Sequence, residues 1–171
     1  MTLKLIFGDD GKILGAQCVG YKGVDKRIDV IASAIRFNGT VYDLAELELS
    51  YAPPYSSAKD PVNMAGFVAQ NVLAGKSNMI TWDEVSKLNK DDYILLDVRT
   101  EEEFIRGHVN GAVNIPLDSL RERISELDKT KIIIAYCKVG IRGYIAERIL
   151  EQKGFTVLNV TGGYTEVKRL K

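Results

Sequence analysis

The sequence predicts an α/β protein. Residues 80–171 read as a parallel sheet with helices on both faces, and residues 1–75 as a small α+β segment, a hairpin plus helices. Three observations carry this. After residue 79, short apolar runs alternate with helical patterns, as in parallel strands joined by crossover helices. The run Ile132-Ile133-Ile134 is β-branched throughout, like a strand buried on both faces. Before residue 75 the order differs: two apolar runs flank Asp9-Asp10-Gly11, and only helical periodicity follows.

In the first segment, residues 3–8 and 12–20 form the hairpin strands, and Cys18 lies in the second as a structural residue. From Gly23 the period lengthens. Val24, Ile28, Ile31, Ala32 and Ile35 recur at helical spacing, and Asn38-Gly39, tolerant of left-handed backbone, ends the helix. Thr40 caps a second short helix, with Asp43 placed as its capping-box partner. Pro53, Pro54 and Pro61 stiffen the next stretch, and Pro61 opens a helix capped by Asp60 that ends near Ala74-Gly75. Tyr51 and Tyr55 read as packing residues on this rigid loop. A two-stranded hairpin is marginal alone, so this half is expected to lean on a second copy or a partner domain. The polar stretch 76–79 reads as a linker.

The second segment starts with Thr81 capping a short helix, Glu84 completing its capping box. Residues 93–98 are a strand. Thr100-Glu101-Glu102-Glu103 opens a helix whose acids suit its N-terminal dipole. Residues 109–116 are expected to form a short strand, 119–127 a helix, 131–136 a strand and 143–153 a helix stopped by Gly154. Residues 155–160 form the last strand, Gly162-Gly163 a turn, and 164–171 a final helix. Ligands of parallel sheets sit beyond the carboxyl ends of the strands. Cys137 and Asp97-Val98-Arg99 stand at two such ends.

The formal net charge is zero, and it is zero again within 1–79 and within 80–171. That argues against a nucleic-acid or polybasic membrane surface. No apolar run approaches the roughly 20 residues of a membrane span, and the first residues lack the apolar core of a signal peptide. Two cysteines in unlike contexts argue against a structural disulfide and for a reducing cytoplasm. One histidine and no ligand cluster argue against a metal site.

Cys137 ends a strand, and a helix follows. The unpaired N–H groups at that helix start and the helix dipole favour an anion, so the thiol is expected to ionise readily and act as a nucleophile. Arg142, set between Gly140 and Gly143, strengthens that reading.

Five pieces in order now resemble the rhodanese family over nearly all of residues 79–171. They are Leu96-Asp97-Val98-Arg99; Glu103 followed by Gly107-His108-Val109; Gly111-Ala112-Val113-Asn114-Ile115-Pro116; Tyr136-Cys137 through Gly143; and Gly162-Gly163-Tyr164. The resemblance implies a small α/β domain that carries sulfane sulfur on Cys137 as a persulfide, between a small sulfur donor and a thiol or cyanide acceptor. The amides of Lys138, Val139, Gly140, Ile141, Arg142 and Gly143 are then expected to ring the sulfur as an anion nest. Arg142 braces the loop or meets the donor, and Lys138 adds positive charge favouring anionic donors. Asp97 and Arg99 are expected to pair as a brace, and His108 to serve a turn rather than as a base. Same-fold phosphatases and arsenate reductases place five residues between cysteine and arginine. Here four intervene, a tighter cradle that suits a sulfur substituent better than a phosphoryl group.

The first segment resembles part of the dimerisation domain of pyridine-nucleotide-disulfide oxidoreductases, in the branch of coenzyme A-disulfide reductases and NADH oxidases. Val24-Asp25-Lys26-Arg27-Ile28-Asp29 and the stretch from Tyr51-Ala52-Pro53-Pro54-Tyr55 through Met64-Ala65-Gly66 carry that likeness. It implies a homodimer or a flavoenzyme partner through residues 1–75. It also implies a tyrosine, Tyr51 or less surely Tyr55, that reaches a partner subunit's active site. No Gly-x-Gly-x-x-Gly turn occurs, so no cofactor is expected in this chain. FAD, NAD(P)H and coenzyme A would belong to a longer flavoenzyme. In that alternative, the chain is a dimerisation and sulfur-relay module rather than an independent enzyme.

Overall fold

The computed structural model describes residues 1–54 and 56–170. The chain divides into two compact units, Met1–Gly75 and Lys76–Lys171.

In the first unit, β1 (Thr2–Phe7) and β2 (Ile13–Val19) form an antiparallel hairpin with Leu3 opposite Cys18 and Leu5 opposite Ala16. Helices α1 (Val24–Arg36), α2 (Val41–Glu46) and α3 (Pro61–Leu73) complete it. Alternate residues Leu3, Leu5 and Phe7 pack on a core of Ile13, Ile31, Val41, Leu44, Val62 and Ala69. The expected caps are in place. Thr40 and Asp43 make a capping box, the Asp60 carboxylate accepts from the Val62 N–H at 3.1 Å, and Asn38 takes the left-handed φ of 56° that ends α1. Asp60 also pairs with the buried Arg27 at 2.7 Å. The Asn63 amide donates to the Leu44 and Leu47 carbonyls at 3.0 and 2.9 Å, satisfying acceptors that the end of α2 leaves open. Cys18 is a half-buried free thiol in β2.

The second unit is a five-stranded parallel sheet in the order β3 (Met79–Ile80), β7 (Val157–Val160), β6 (Ile132–Tyr136), β4 (Tyr93–Asp97), β5 (Val113–Asn114). The central strand β6 explains the layering. Ile133, Ala135 and Cys137 point into one cluster, shared with Ala146, Ile149 and Leu150 of α6 (Ile141–Glu151). Ile134 and Tyr136 point the other way, into a cluster with Val85 and Trp82 of α4 (Trp82–Val85) and Tyr164 of α7 (Gly163–Leu170). Helices therefore cover both faces, and the β-branched run is buried on both sides, as the sequence predicts. A short α5 (Glu101–Ile105) follows β4 at the expected place, and Thr100 and Glu103 close a capping box at its start; Thr81 and Glu84 make the expected box on α4.

Four local expectations are corrected. Residues 119–127 do not form one helix but lie between and within two 3₁₀ turns, Leu117–Ser119 and Ile124–Glu126. The tighter turns let Leu120 and Leu127 reach the same core cluster, so packing overrides helical spacing. The strand expected over 109–116 shrinks to Val113–Asn114, because the Ala112 N–H turns back to the Val109 carbonyl at 3.0 Å. The stretch 76–79 is not a free linker. Met79 enters β3, while Ser77 and the Asn78 N–H are bound by the Glu147 carboxylate of α6. Finally, α6 begins at Ile141, two residues before the expected Gly143, since Gly140 already makes its turn. Of the helix expected over 164–171, Lys171 lies outside the described residues.

Candidate active site

The site forms where β6 hands the chain to α6. Cys137 follows Tyr136, the last residue of β6, and is only 1% exposed. The chain then reverses through Gly140, whose φ of 144° is open to glycine and strained for other residues. That turn aims the Gly140 N–H at the Cys137 sulfur, 3.1 Å away. The first intrahelical bond of α6 runs from the Tyr144 N–H to the Gly140 carbonyl at 2.9 Å. The amides of residues 141–143 precede it and have no helical acceptor, so they add to the donors at this end. Val139 and Ile141 are 60% and 62% exposed, while Lys138 also faces solvent.

The loop is held from the far side by α7. The Tyr164 N–H donates to the Cys137 carbonyl at 2.8 Å. The Thr165 N–H and hydroxyl both donate to the Lys138 carbonyl, at 3.0 and 2.8 Å. Gly163 makes this approach feasible. Its φ is 54°, and a Cβ there would lie 2.9 Å from the Lys138 carbonyl carbon and closer still to the Cys137 carbonyl oxygen.

Arg142 turns from the first turn of α6 to Glu103 of α5 and makes two bonds, 2.6 and 2.9 Å. The Arg142 guanidinium holds the Glu103 carboxyl down to about 2. In return Glu103, and secondarily Cys137, holds the guanidinium more firmly charged than usual. Glu103 also accepts from the Thr100 N–H at 3.1 Å, so one carboxylate both starts α5 and fixes Arg142.

Asp97 and Arg99 pair at 2.6 Å, both fully buried. Arg99 donates further to the Gly107 carbonyl at 2.9 Å and lies over the Tyr164 ring at 4.0 Å. The Asn114 amide ties the Asp97 and Arg99 carbonyls at 2.9 and 3.0 Å. The pair is thus built into the wall after β4. Burial pushes the Tyr136 phenol up, and its oxygen accepts from the Val109 N–H at 3.2 Å. His108 stacks on Phe104 with ring centroids 3.8 Å apart, and its Nδ1 lies 3.0 Å from the Phe104 carbonyl. It serves the helix-to-strand turn.

The structure therefore brings Cys137, the 138–143 loop and Arg142 together, with Asp97 and Arg99 bracing nearby. Tyr51 belongs to the other unit and is 54% exposed; Tyr55 lies outside the described residues. Sequence reasoning left out two contributors. Glu103 stood in a motif, and its place as third residue of a capping box was the only hint that its carboxylate was directed. The clasp by Gly163, Tyr164 and Thr165 had as its signal only the motif Gly162-Gly163-Tyr164, which gave no role for Thr165. Beside the loop is a cavity of about 430 Å³ whose wall includes Arg99, Glu103, Arg106, Lys138, Tyr164 and Thr165.

Among the described residues, no group of three or more histidine, cysteine, aspartate or glutamate side chains is placed to hold a metal, and no helix is long and apolar enough to cross a membrane. The first unit pairs its two strands antiparallel, without the strand–helix–strand crevice a dinucleotide needs.

Residues 81–170 match the model of the rhodanese-like domain, and residues 1–61 that of the pyridine nucleotide-disulphide oxidoreductase dimerisation domain. A coenzyme A disulfide reductase of Staphylococcus epidermidis is 52% identical over 71 residues, 41% of this chain and 16% of that protein. The crystal structure of reduced Bacillus anthracis CoADR-RHD superposes on 95% of this chain with a TM-score of 0.91 and 52% identity. An NAD-dependent persulfide reductase from A. fulgidus superposes on 94% with a TM-score of 0.82 and 41% identity. This chain covers 29% of each of those two structures, less than a third of their length.

Proposed function

The chain belongs to the rhodanese-like domain family through residues 81–170, and from that premise we propose that it is a sulfurtransferase carrying sulfane sulfur as a persulfide on Cys137. The observation that supports this most is the Gly140 N–H aimed at the Cys137 sulfur at 3.1 Å, at the head of α6. Amides placed there can donate to the terminal sulfur of a persulfide anion.

The chemistry needs no external oxidant. The Cys137 thiolate attacks the outer sulfur of thiosulfate, the S–S bond breaks, and sulfite leaves with the electron pair. With a persulfide or polysulfide donor, the leaving group is a thiolate or a shortened polysulfide. Cyanide or an acceptor thiolate then attacks the terminal sulfur, and Cys137 departs as thiolate. The amides of Lys138 through Gly143 serve both anions, Arg142 supplies positive charge beside them, and Asp97 with Arg99 keeps the neighbouring wall in place.

The test is intact mass after incubation with thiosulfate, polysulfide or a small-thiol persulfide. One added sulfur atom is expected, released by cyanide and absent in Cys137→Ser. No adduct with any of the three donors overturns the reading, as does Cys137-dependent turnover of an aryl phosphate.

A second reading is favoured by the superposition of nearly the whole chain on 29% of larger reductases. Here residues 1–75 form the dimerisation segment, 76–79 the joint and 80–171 the sulfur-relay domain of a cytoplasmic flavin-dependent coenzyme A-disulfide or polysulfide reductase. FAD, NAD(P)H and coenzyme A would be bound by the rest of that enzyme, and Tyr51 or Tyr55 would reach the partner subunit. Homodimerisation in native mass spectrometry, lost on charge substitution in residues 1–75, is the expected result. A strictly monomeric chain counts against it.

A further inference from the structure

We propose that Asn159 of β7 is a positioning residue for sulfur transfer: its carboxamide seats the first turn of α6, so that the amides there converge on the sulfur at Cys137. The inference rests on the sulfurtransferase reading and gives that site a residue from outside its loop.

The starting point is an unsatisfied group. Asn159 is 4% exposed, and its Oδ1 is the one buried side-chain nitrogen or oxygen among the described residues without a hydrogen-bond partner. Burying an unpaired oxygen costs stability that an apolar side chain of similar size would not. Its place is specific. A Cβ on Gly143 would lie 3.2 Å from the carboxamide carbon and closer still to the oxygen. The carboxamide thus fills the space that any other residue at 143 would claim. Its oxygen stands against the hydrogen that Gly143 carries there, a weak C–H···O contact.

The surroundings show why this point matters. Gly143 is the third residue of α6, directly after Arg142 and three after Gly140, whose N–H meets the Cys137 sulfur. Asn159 pairs with Ala135 across β6 and β7. Val157, two residues before it and so on the same face of β7, shares a cluster with Ala135, Cys137 and Ala146. Asn159 therefore lies on the face into which Cys137 points. Ala135, Gly143 and Ala146 are all small, so α6 comes down close to the sheet here, and Asn159 is the spacer. The spacer is itself fixed, because the Asn159 N–H donates to the Asn78 carbonyl at 2.8 Å. The first turn of α6 is held on two sides, by Glu103 through Arg142 and by Asn159 under Gly143. Charge stabilisation by amides depends on their aim, and a misplacement of about 1 Å can cost about a hundredfold in rate.

A double-variant cycle tests the seat. Asn159→Ala removes it and should slow sulfur loading of Cys137 from thiosulfate about tenfold, read by intact mass against time. Gly143→Ala drives a Cβ into the carboxamide and should slow loading at least as much. In the double variant the new Cβ takes the vacated space, and loading should return to within about threefold of wild type. Additive losses overturn the proposal, as does unchanged loading in Asn159→Ala. Should Gly143→Ala fail to fold, Asn159→Ala and the double variant still decide, since recovery in the second is required. Hydrogen exchange of the Gly140 amide, followed by NMR, supplies a readout that lost stability alone does not reproduce. It should accelerate in Asn159→Ala while the core amides of β4 keep their rates, and slow again in the double variant. Uniform acceleration of all amides would mean a packing role only and would sink the proposal. Because this exchange needs no sulfur, the two readings part cleanly. Failure of every donor to load Cys137, with the exchange pattern intact, would remove the sulfurtransferase reading and leave the seat under α6 standing.

Discussion

Arg142 and Glu103, 39 residues apart, meet in a two-point ion pair of 2.6 and 2.9 Å that ties the reactive loop to the head of α5. The pair fixes the guanidinium beside Cys137 rather than leaving it to swing into solvent. Glu103→Gln should lower kcat/KM for cyanide-dependent sulfur release about tenfold, read by steady-state assay. The pair is partly exposed, so the accompanying loss of stability should be only about 1 kcal/mol. Activity should fall much further than unfolding accounts for.

The same pair should be visible in acid. Arg142 holds the Glu103 carboxyl at about 2, below its ordinary 4.5. A carboxyl depressed in the folded state contributes stability that is full above its unfolded value and is lost as pH falls through the folded one. Urea midpoints of the wild type should therefore drop more steeply between pH 4.5 and about 2 than those of Glu103→Gln. Parallel curves would count against the pair.

Glu147 behaves in the opposite sense. It is fully buried, accepts from the Ser77 hydroxyl at 2.7 Å and from the Asn78 N–H, and burial pushes its carboxyl up. The folded state therefore holds the proton more readily than the unfolded chain, and stability declines as pH rises from the ordinary carboxylate range through the raised value. Glu147→Gln keeps an acceptor for Asn78 without burying a charge and should stabilise the chain by about 1 kcal/mol at neutral pH. Glu147→Ala leaves the buried Ser77 hydroxyl without its acceptor and should destabilise by about 2 kcal/mol. Chemical denaturation at two pH values separates these outcomes.

In the first unit, Asp60→Asn keeps the cap on α3 but leaves the Arg27 guanidinium buried without its anion. The expected cost is about 3 kcal/mol, seen as a lower thermal midpoint. A cost under about 1 kcal/mol would mean that Arg27 finds another partner or escapes to water.

Gly163→Ala should break the clasp on the loop. The left-handed backbone costs a non-glycine residue about 1–3 kcal/mol, before counting contact with the Cys137 and Lys138 carbonyls. Hydrogen exchange at the Tyr164 and Thr165 amides should accelerate in the variant, because those N–H groups donate to the same two carbonyls.

What the sequence made legible was local. The caps at Thr40, Asp60 and Thr81 are chemical signals within four residues, and each is realised. The β-branched run of β6 and the cysteine at its end could be read in the same way. The bracing pair Asp97–Arg99 was legible because two residues on one strand end have few other places to go. What stayed hidden depends on distant partners. β3 has two residues, too few for any period, and exists because β7 offers an edge. The break in 117–127 follows from where Leu120 and Leu127 must be buried. Glu103 looked like one acid among three until α6 brought Arg142 to it.

The clasp by α7 also sets where this domain stops being divisible. A chain cut after Val160 would retain every strand of the five-stranded sheet. It would nonetheless lose the three hydrogen bonds that seat the Cys137 and Lys138 carbonyls. The smallest piece able to present that cysteine correctly therefore extends past the sheet to at least Thr165, and shortened versions judged by folding alone would pass while failing in chemistry.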